Sequence, residues 1–216
     1  MKHGKTILGV LLVLALSALP AVADTAQLTL TAVSNQAGGV YTFPYEFTVN
    51  GTTNVPLMCD TFQNEISVGQ SWTANVFPLL SAGSNGLFSS LQNSQTLYDE
   101  AGLILQGVLG QGPLASYSGL NPGLGNWAVW NLLDPGDTSG NPYGSVLTDL
   151  ENAAFADAHD TSGLGNVVIY TPVNGTIGNS PQELIGLVPE PCTLALMSIG
   201  LFICGSIMRR RRRQLR

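Results

Sequence analysis

Every lysine and arginine of this chain lies close to one of its two ends. Residues 24–188 hold thirteen of the fourteen acidic residues, and His159 is their only basic side chain. The eight lysines and arginines are Lys2, Lys5, Arg209, Arg210, Arg211, Arg212, Arg213 and Arg216. Because carboxylates in the middle segment find no lysine or arginine within it, a domain built there depends on apolar burial and backbone hydrogen bonds.

The missing cations also exclude several functions for residues 24–188. Nucleic-acid binding needs basic groups against the phosphates, Schiff-base chemistry needs a lysine, and phosphate clamps need arginine. The chain also lacks the Gly-x-Ser-x-Gly motif of a hydrolase nucleophile. We therefore expect no nucleic-acid partner and a non-enzymatic role. The acidity favours solubility, and divalent cations could bridge such a surface to an acidic extracellular polysaccharide.

The N-terminus has the pattern of an export signal. Lys2 and Lys5 precede an apolar run of thirteen residues, 7–19, and small residues follow at Ala21 and Ala23. This order predicts a signal peptide over residues 1–23 that enters the Sec machinery and is cleaved by signal peptidase after Ala23. The alternative is an uncleaved membrane helix, for which thirteen residues are few.

The C-terminus combines three features in a fixed order. Pro189, Glu190 and Pro191 precede seventeen uncharged residues, 192–208, and then the arginine block 209–213. The uncharged run has the minimum length of a transmembrane helix, and the arginines would stay cytoplasmic. The prolines keep Glu190 extended and outside that helix. We predict a single transmembrane helix over 192–208; the alternative is a plain tail anchor, which needs no Pro-Glu-Pro triplet.

Residues 189–213 closely resemble the PEP-CTERM sorting signal of Gram-negative bacteria. That resemblance implies recognition and cleavage by exosortase, a membrane protease-transpeptidase. It also implies an inner-membrane-anchored precursor that is delivered to the cell surface or to an extracellular biofilm matrix.

Residues 24–188 are long enough for one domain with its own core. Alternating and helical periodicities predict an α+β fold, an antiparallel β-rich domain with about three helices. The predicted strands are 27–33, 41–49, 55–59, 66–77, 166–171 and 182–187, and the predicted helices are 97–110, 121–133 and 144–159.

Two segments of this domain suggest chemistry. Cys59 ends a predicted strand, and Asn126 opens the sequence Asn-Trp-Ala-Val-Trp in a predicted helix. The arrangement resembles the thioester domains of Gram-positive surface adhesins, in which a cysteine bonds to a glutamine that precedes x-Ala-x-Trp. Here Asn126 occupies the glutamine position with one methylene less, so its carbonyl carbon reaches less far toward a thiol. We expect Cys59 and Asn126 to be neighbours without a bond between them; the alternative is a covalent adhesin with an internal thioester at Cys59.

The remaining candidates have simpler interpretations. Asp134, Asp137 and Asn141 offer oxygens for Ca²⁺, but their spacing is more typical of an acidic Pro/Gly turn. His159 is the only histidine of the domain and lies near the end of a predicted helix. The tryptophans could stack on sugars, although their helical and strand spacing is more typical of a core. We expect no bound metal and no cofactor.

Overall fold

The computed structural model describes residues 25–135 and 140–188. Its strands are β1 (Thr25–Ala37), β2 (Val40–Val49), β3 (Thr52–Cys59), β4 (Ser71–Pro78), β5 (Val167–Pro172) and β6 (Leu184–Leu187). Its helices are α1 (Ala82–Asn85), α2 (Ser94–Val108), α3 (Pro122–Leu133) and α4 (Ser145–Asp157). Short 3₁₀ segments lie at Leu79–Ser81, Pro113–Ser116 and Ser162–Asn166.

The six strands form one closed antiparallel barrel in the order β1-β2-β3-β6-β5-β4. The first half of β1 alternates, with Ala26, Leu28 and Leu30 pointing into the core. All six residues of β5 are buried, so both of its faces are covered.

This closure makes the α+β prediction wrong. The two C-terminal strands join the four N-terminal ones, because β5 pairs with β4 while β6 inserts between β3 and β5. The described chain also has four helices rather than about three, since the short helix α1 follows β4. Alternation along a strand is the same in an open sheet and in a barrel, whereas closure depends on pairings between distant segments.

The terminal predictions fall outside the described residues. These are the signal peptide over 1–23 with Ala21 and Ala23, the Pro-Glu-Pro triplet, the transmembrane helix over 192–208 and the arginine block. Within residues 25–135 and 140–188, no helix has the length and apolar character needed to span a bilayer.

Helix α3 is fixed by its first turn and by its fit against α2. Asn121 caps the helix, its side-chain oxygen accepting from the Leu124 backbone N–H at 3.0 Å, and Pro122 follows at the first helical position. Gly125 lets α3 approach α2 closely, because a Cβ there would lie 2.4 Å from Cγ2 of Val108. The next residue, Asn126, forms hydrogen bonds with the backbone of Phe43 in β2 and of Cys59 at the end of β3.

Two tryptophans of α3 anchor the helix to the core. Trp127 and Trp130 are 1% and 2% exposed, and their ring centroids lie 5.3 Å apart in an edge-on arrangement. Phe62, just beyond β3, packs on both rings at 5.5 Å and 5.0 Å. Trp72 of β4 is also buried, with its ring edge-on to Phe47 of β2. The core interpretation of the three tryptophans is confirmed.

Candidate functional site

The structure brings Cys59 and Asn126 together across sixty-seven positions of sequence. The Asn126 Nδ2 group donates to the backbone oxygen of Cys59 at 2.8 Å, and its Oδ1 atom accepts from the backbone N–H of Phe43 at 2.7 Å. Asn126 is fully buried, so these two bonds satisfy β2 and β3 backbone groups that water cannot reach. The expected proximity of Cys59 and Asn126 is confirmed, but the Asn126 side chain contacts the Cys59 backbone and not its thiol.

The thiol of Cys59 is free and has another partner. It is fully buried, and its Sγ donates to the backbone oxygen of Thr61 at 3.2 Å. Burial raises the pKa of the thiol far above its usual range, and a negative charge on the nearby Asp60 or Glu183 would raise that pKa further. Since the thiolate is the nucleophile, a thiol held in its protonated form is unreactive. The arrangement favours the buried core thiol.

The residue after Cys59 belongs to a different cluster, which the sequence analysis missed. Asp60 and Glu183 are both completely buried, and they lie opposite each other at the ends of neighbouring strands, the Asp60 backbone N–H donating to the Glu183 backbone oxygen at 3.3 Å. The Asp60 Oδ1 atom accepts from the Thr61 hydroxyl at 2.9 Å, whereas Oδ2 accepts no bond from any donor among residues 25–135 and 140–188.

Glu183 is surrounded by donors. Its Oε1 accepts from the Tyr98 hydroxyl of α2 at 2.5 Å, and its Oε2 accepts from the Thr171 hydroxyl of β5 and from the Leu87 backbone N–H at 2.9 Å. The Tyr98 oxygen in turn accepts from the Phe88 N–H at 3.1 Å. Three donors compensate one buried negative charge on Glu183.

The environments of both acids raise their pKa values, but hydrogen-bond donors offset more of the rise at Glu183. Burial raises the pKa of Asp60 well above its ordinary value, and the neighbouring Glu183 charge raises it further. Burial also raises the pKa of Glu183, but the Thr171, Tyr98 and Leu87 donors lower it. Retention of a proton is therefore more favourable on Asp60 than on Glu183.

A sequence signal for this pair does exist. Asp60 directly follows the apolar end of β3, and Glu183 directly precedes the apolar β6. In a segment without lysine or arginine, an acid next to a buried strand must be neutralised by a proton or by hydroxyl and amide donors. The sequence does not show which two acids pair, because Asp60 and Glu183 are 123 positions apart along the chain and are neighbours only in the fold.

A third acid, on helix α2, is also buried without a lysine or arginine beside it. Glu100 is 4% exposed, and its surroundings raise its pKa to about 7, chiefly through burial, with smaller contributions from Glu151 of α4 and from Asp99. The Asn131 side chain of α3 donates to Glu151 at 2.8 Å. The sequence analysis did not predict this contact between α2, α3 and α4 either.

The calcium candidates do not assemble in the described part of the chain. Asp134 accepts from the Gln63 side chain at 2.9 Å, and Asn141 accepts from the Tyr143 N–H at 2.8 Å within a local turn. Asp137 lies outside the described residues, and among those described no three His, Cys, Asp or Glu side chains group to hold a metal ion.

The sorting residues cannot be placed from this structure. Pro189, Glu190, Pro191 and Arg209–Arg213 lie outside the described residues, and so do Ala21 and Ala23. The described chain ends at Val188, whose N–H donates to the Asn166 oxygen at 2.8 Å.

Comparisons with protein-family models, with curated proteins and with solved structures gave no match. The resemblances to sorting signals and thioester domains therefore remain predictions.

Proposed function

We propose that this chain is an exported surface or extracellular-matrix protein that exosortase sorts and processes. The observation that carries the proposal is the order of the last residues, in which Pro189-Glu190-Pro191 precedes an uncharged run and five arginines. In this proposal signal peptidase removes residues 1–23 after passage through the Sec machinery. The uncharged run then holds the precursor at the inner membrane until exosortase acts near the triplet.

The barrel would serve as a non-enzymatic structural or adhesive component of the envelope or biofilm matrix. Its chemically distinctive groups support this role: the Cys59 thiol, Asp60 and Glu183 are fully buried and hydrogen-bonded within the domain. A closed barrel also lacks the unpaired edge strands through which crowded proteins aggregate. Its acidic composition suits a hydrated matrix in which divalent cations bridge the protein to acidic polysaccharide.

Intact mass spectrometry of the protein from its native host tests the processing. We expect a mature form that begins after Ala23 and lacks Arg209–Arg216. Replacing residues 189–191 by alanine should leave the arginines attached, while the control Ser89→Ala/Ser90→Ala, at two exposed loop positions, should be processed normally. A wild-type mature form that retains Arg209–Arg216 would overturn the processing step.

The covalent adhesin is the second candidate, and the contact between Cys59 and Asn126 is the observation in its favour. Against it, both polar atoms of the Asn126 amide are already hydrogen-bonded to backbone groups, and the thiol is hydrogen-bonded to the backbone oxygen of Thr61. A thioester would release one ammonia from the intact mass, and methylamine would open it. A full mass together with a thiol that iodoacetamide alkylates after unfolding excludes this candidate.

A further inference from the structure

The six pairings of neighbouring strands that close the barrel, here called junctions, differ in length. The β3–β6 junction is registered only at Met58↔Ile185 and Cys59↔Leu184, and it is the shortest of the six junctions in the described chain. By contrast, β4 and β5 pair from Ala74↔Pro172 to Pro78↔Val168. A barrel of this kind is expected to open first where its ladder is shortest.

The buried acids directly continue this short junction. The Asp60 N–H donates to the Glu183 backbone oxygen at 3.3 Å, and the Glu183 N–H donates to the Thr61 hydroxyl at 3.2 Å. The two carboxyl groups therefore lie at the open end of the β3–β6 ladder. Any force between them acts directly on the pairing of these strands.

The groups around the pair contain no cation. The titratable neighbours are Tyr98 from α2 and Cys59 from β3, while β5 contributes the Thr171 hydroxyl and the segment before α2 contributes the Leu87 N–H. Residues 24–188 contain no lysine or arginine that could approach. One negative charge is matched by the donors on Glu183, but a second charge on Asp60 would have only the Thr61 hydroxyl and its own backbone N–H.

We propose that Asp60 and Glu183 share one proton that locks the β3–β6 junction, and that loss of this proton as the pH rises opens the barrel there. Two facing carboxylates in a water-excluded site repel each other, and each loses its hydration. Separating β6 from β3 admits water to both. The barrel thus carries a pH-sensitive closure that involves none of the residues of the sorting motif.

Cys59 provides a reporter for this opening, because it is the last residue of β3 and its thiol is fully buried. The purified full chain is treated with N-ethylmaleimide from pH 6 to pH 10, and the labelled Cys59 peptide is quantified by mass spectrometry separately from those of Cys192 and Cys204. Dividing by the rate for the urea-unfolded chain at the same pH removes the ionisation of the thiol itself and gives a protection factor.

We expect the protection of wild-type Cys59 to fall by up to about tenfold per pH unit where the shared proton is lost. In Asp60→Asn the amide N–H takes the place of the proton toward Glu183, so protection should be independent of pH. Asp149→Asn, which changes an exposed acid of α4, should follow the wild type.

Three outcomes would overturn the proposal. One is wild-type protection that stays constant from pH 6 to pH 10. Another is an equal decline in wild type and in Asp60→Asn. The third is an opening free energy from labelling that equals the free energy of global unfolding in urea at every pH, because the junction would then not open locally. Should Asp60→Asn lack a cooperative urea transition, Glu183→Gln replaces it; Asp60 then ionises without a facing carboxylate, so the decline of protection with pH should be smaller than in the wild type.

Discussion

Two consecutive residues at the end of β3 are held in opposite ways. Cys59 belongs to a neutral region, where the Asn126 amide joins β2, β3 and α3 through backbone donors and acceptors. Asp60 belongs to an ionisable region, where a carboxyl pair joins β3, the start of β6 and α2. We expect the stability that the neutral region contributes to be independent of pH, whereas the stability that the ionisable region contributes depends on one proton. Strength and pH sensitivity can therefore be assigned to different residues of one strand end.

The largest effect is expected from the neutral region. Asn126→Ala leaves the Phe43 N–H and the Cys59 oxygen buried without partners, and each such group costs about 1–3 kcal/mol. We expect the free energy of unfolding to fall by about 2–6 kcal/mol, equally at pH 5 and pH 8, in urea titrations followed by tryptophan fluorescence. Asn152→Ala, an exposed position of α4, is the control. A strongly pH-dependent loss would show that the two regions are not separate.

The next effect belongs to the ionisable region. Tyr98→Phe removes a hydroxyl that donates to Glu183 and accepts from the Phe88 N–H, and a bond to a charged group contributes about 1.5–3 kcal/mol. The loss in the free energy of unfolding should be greater at pH 8 than at pH 5, because the Tyr98 hydroxyl lowers the pKa of Glu183 and its removal raises that pKa further. Tyr117→Phe, at a half-buried tyrosine, is the control. An equal loss at both pH values would show that the Tyr98 hydroxyl does not lower the pKa of Glu183.

The sequence could predict the neutral region and not the ionisable one. Asn126 follows a capped helix start, and its place beside Cys59 follows from the resemblance of the Asn-Trp-Ala-Val-Trp segment to a known motif. The three longer helices were also foreseen, because helical periodicity is a local signal. Barrel closure and the Asp60–Glu183 pair arise from β6 inserting between β3 and β5, which no local pattern encodes.

Glu100 provides a smaller test, away from both regions, of whether a buried acid without a cation makes stability depend on pH. Its pKa is raised to about 7, above the ordinary glutamate value of about 4.3, so the native state retains a proton that the unfolded chain has released. Stability should therefore fall as pH rises from about 4 to 7. Glu100→Gln should remove that part of the decline, about 1–2 kcal/mol after allowance for solvent screening. Calorimetric melting at pH 5 and pH 8 would detect it, and an unchanged decline would contradict it.

The smallest effect is expected from Cys59, and it separates the two candidate roles of the chain. Cys59→Ala removes the thiol that donates to Thr61 and leaves a small cavity, which we expect to lower the free energy of unfolding by about 1–2 kcal/mol. Cys59→Ser keeps a donor of similar size and isolates the hydrogen-bond contribution. Because the buried thiol has no covalent role in a structural component, neither variant should change the amount of protein retained at the cell surface. Loss of retention in both variants with unchanged stability would instead favour the covalent adhesin, since only a reacting sulfur is absent from both.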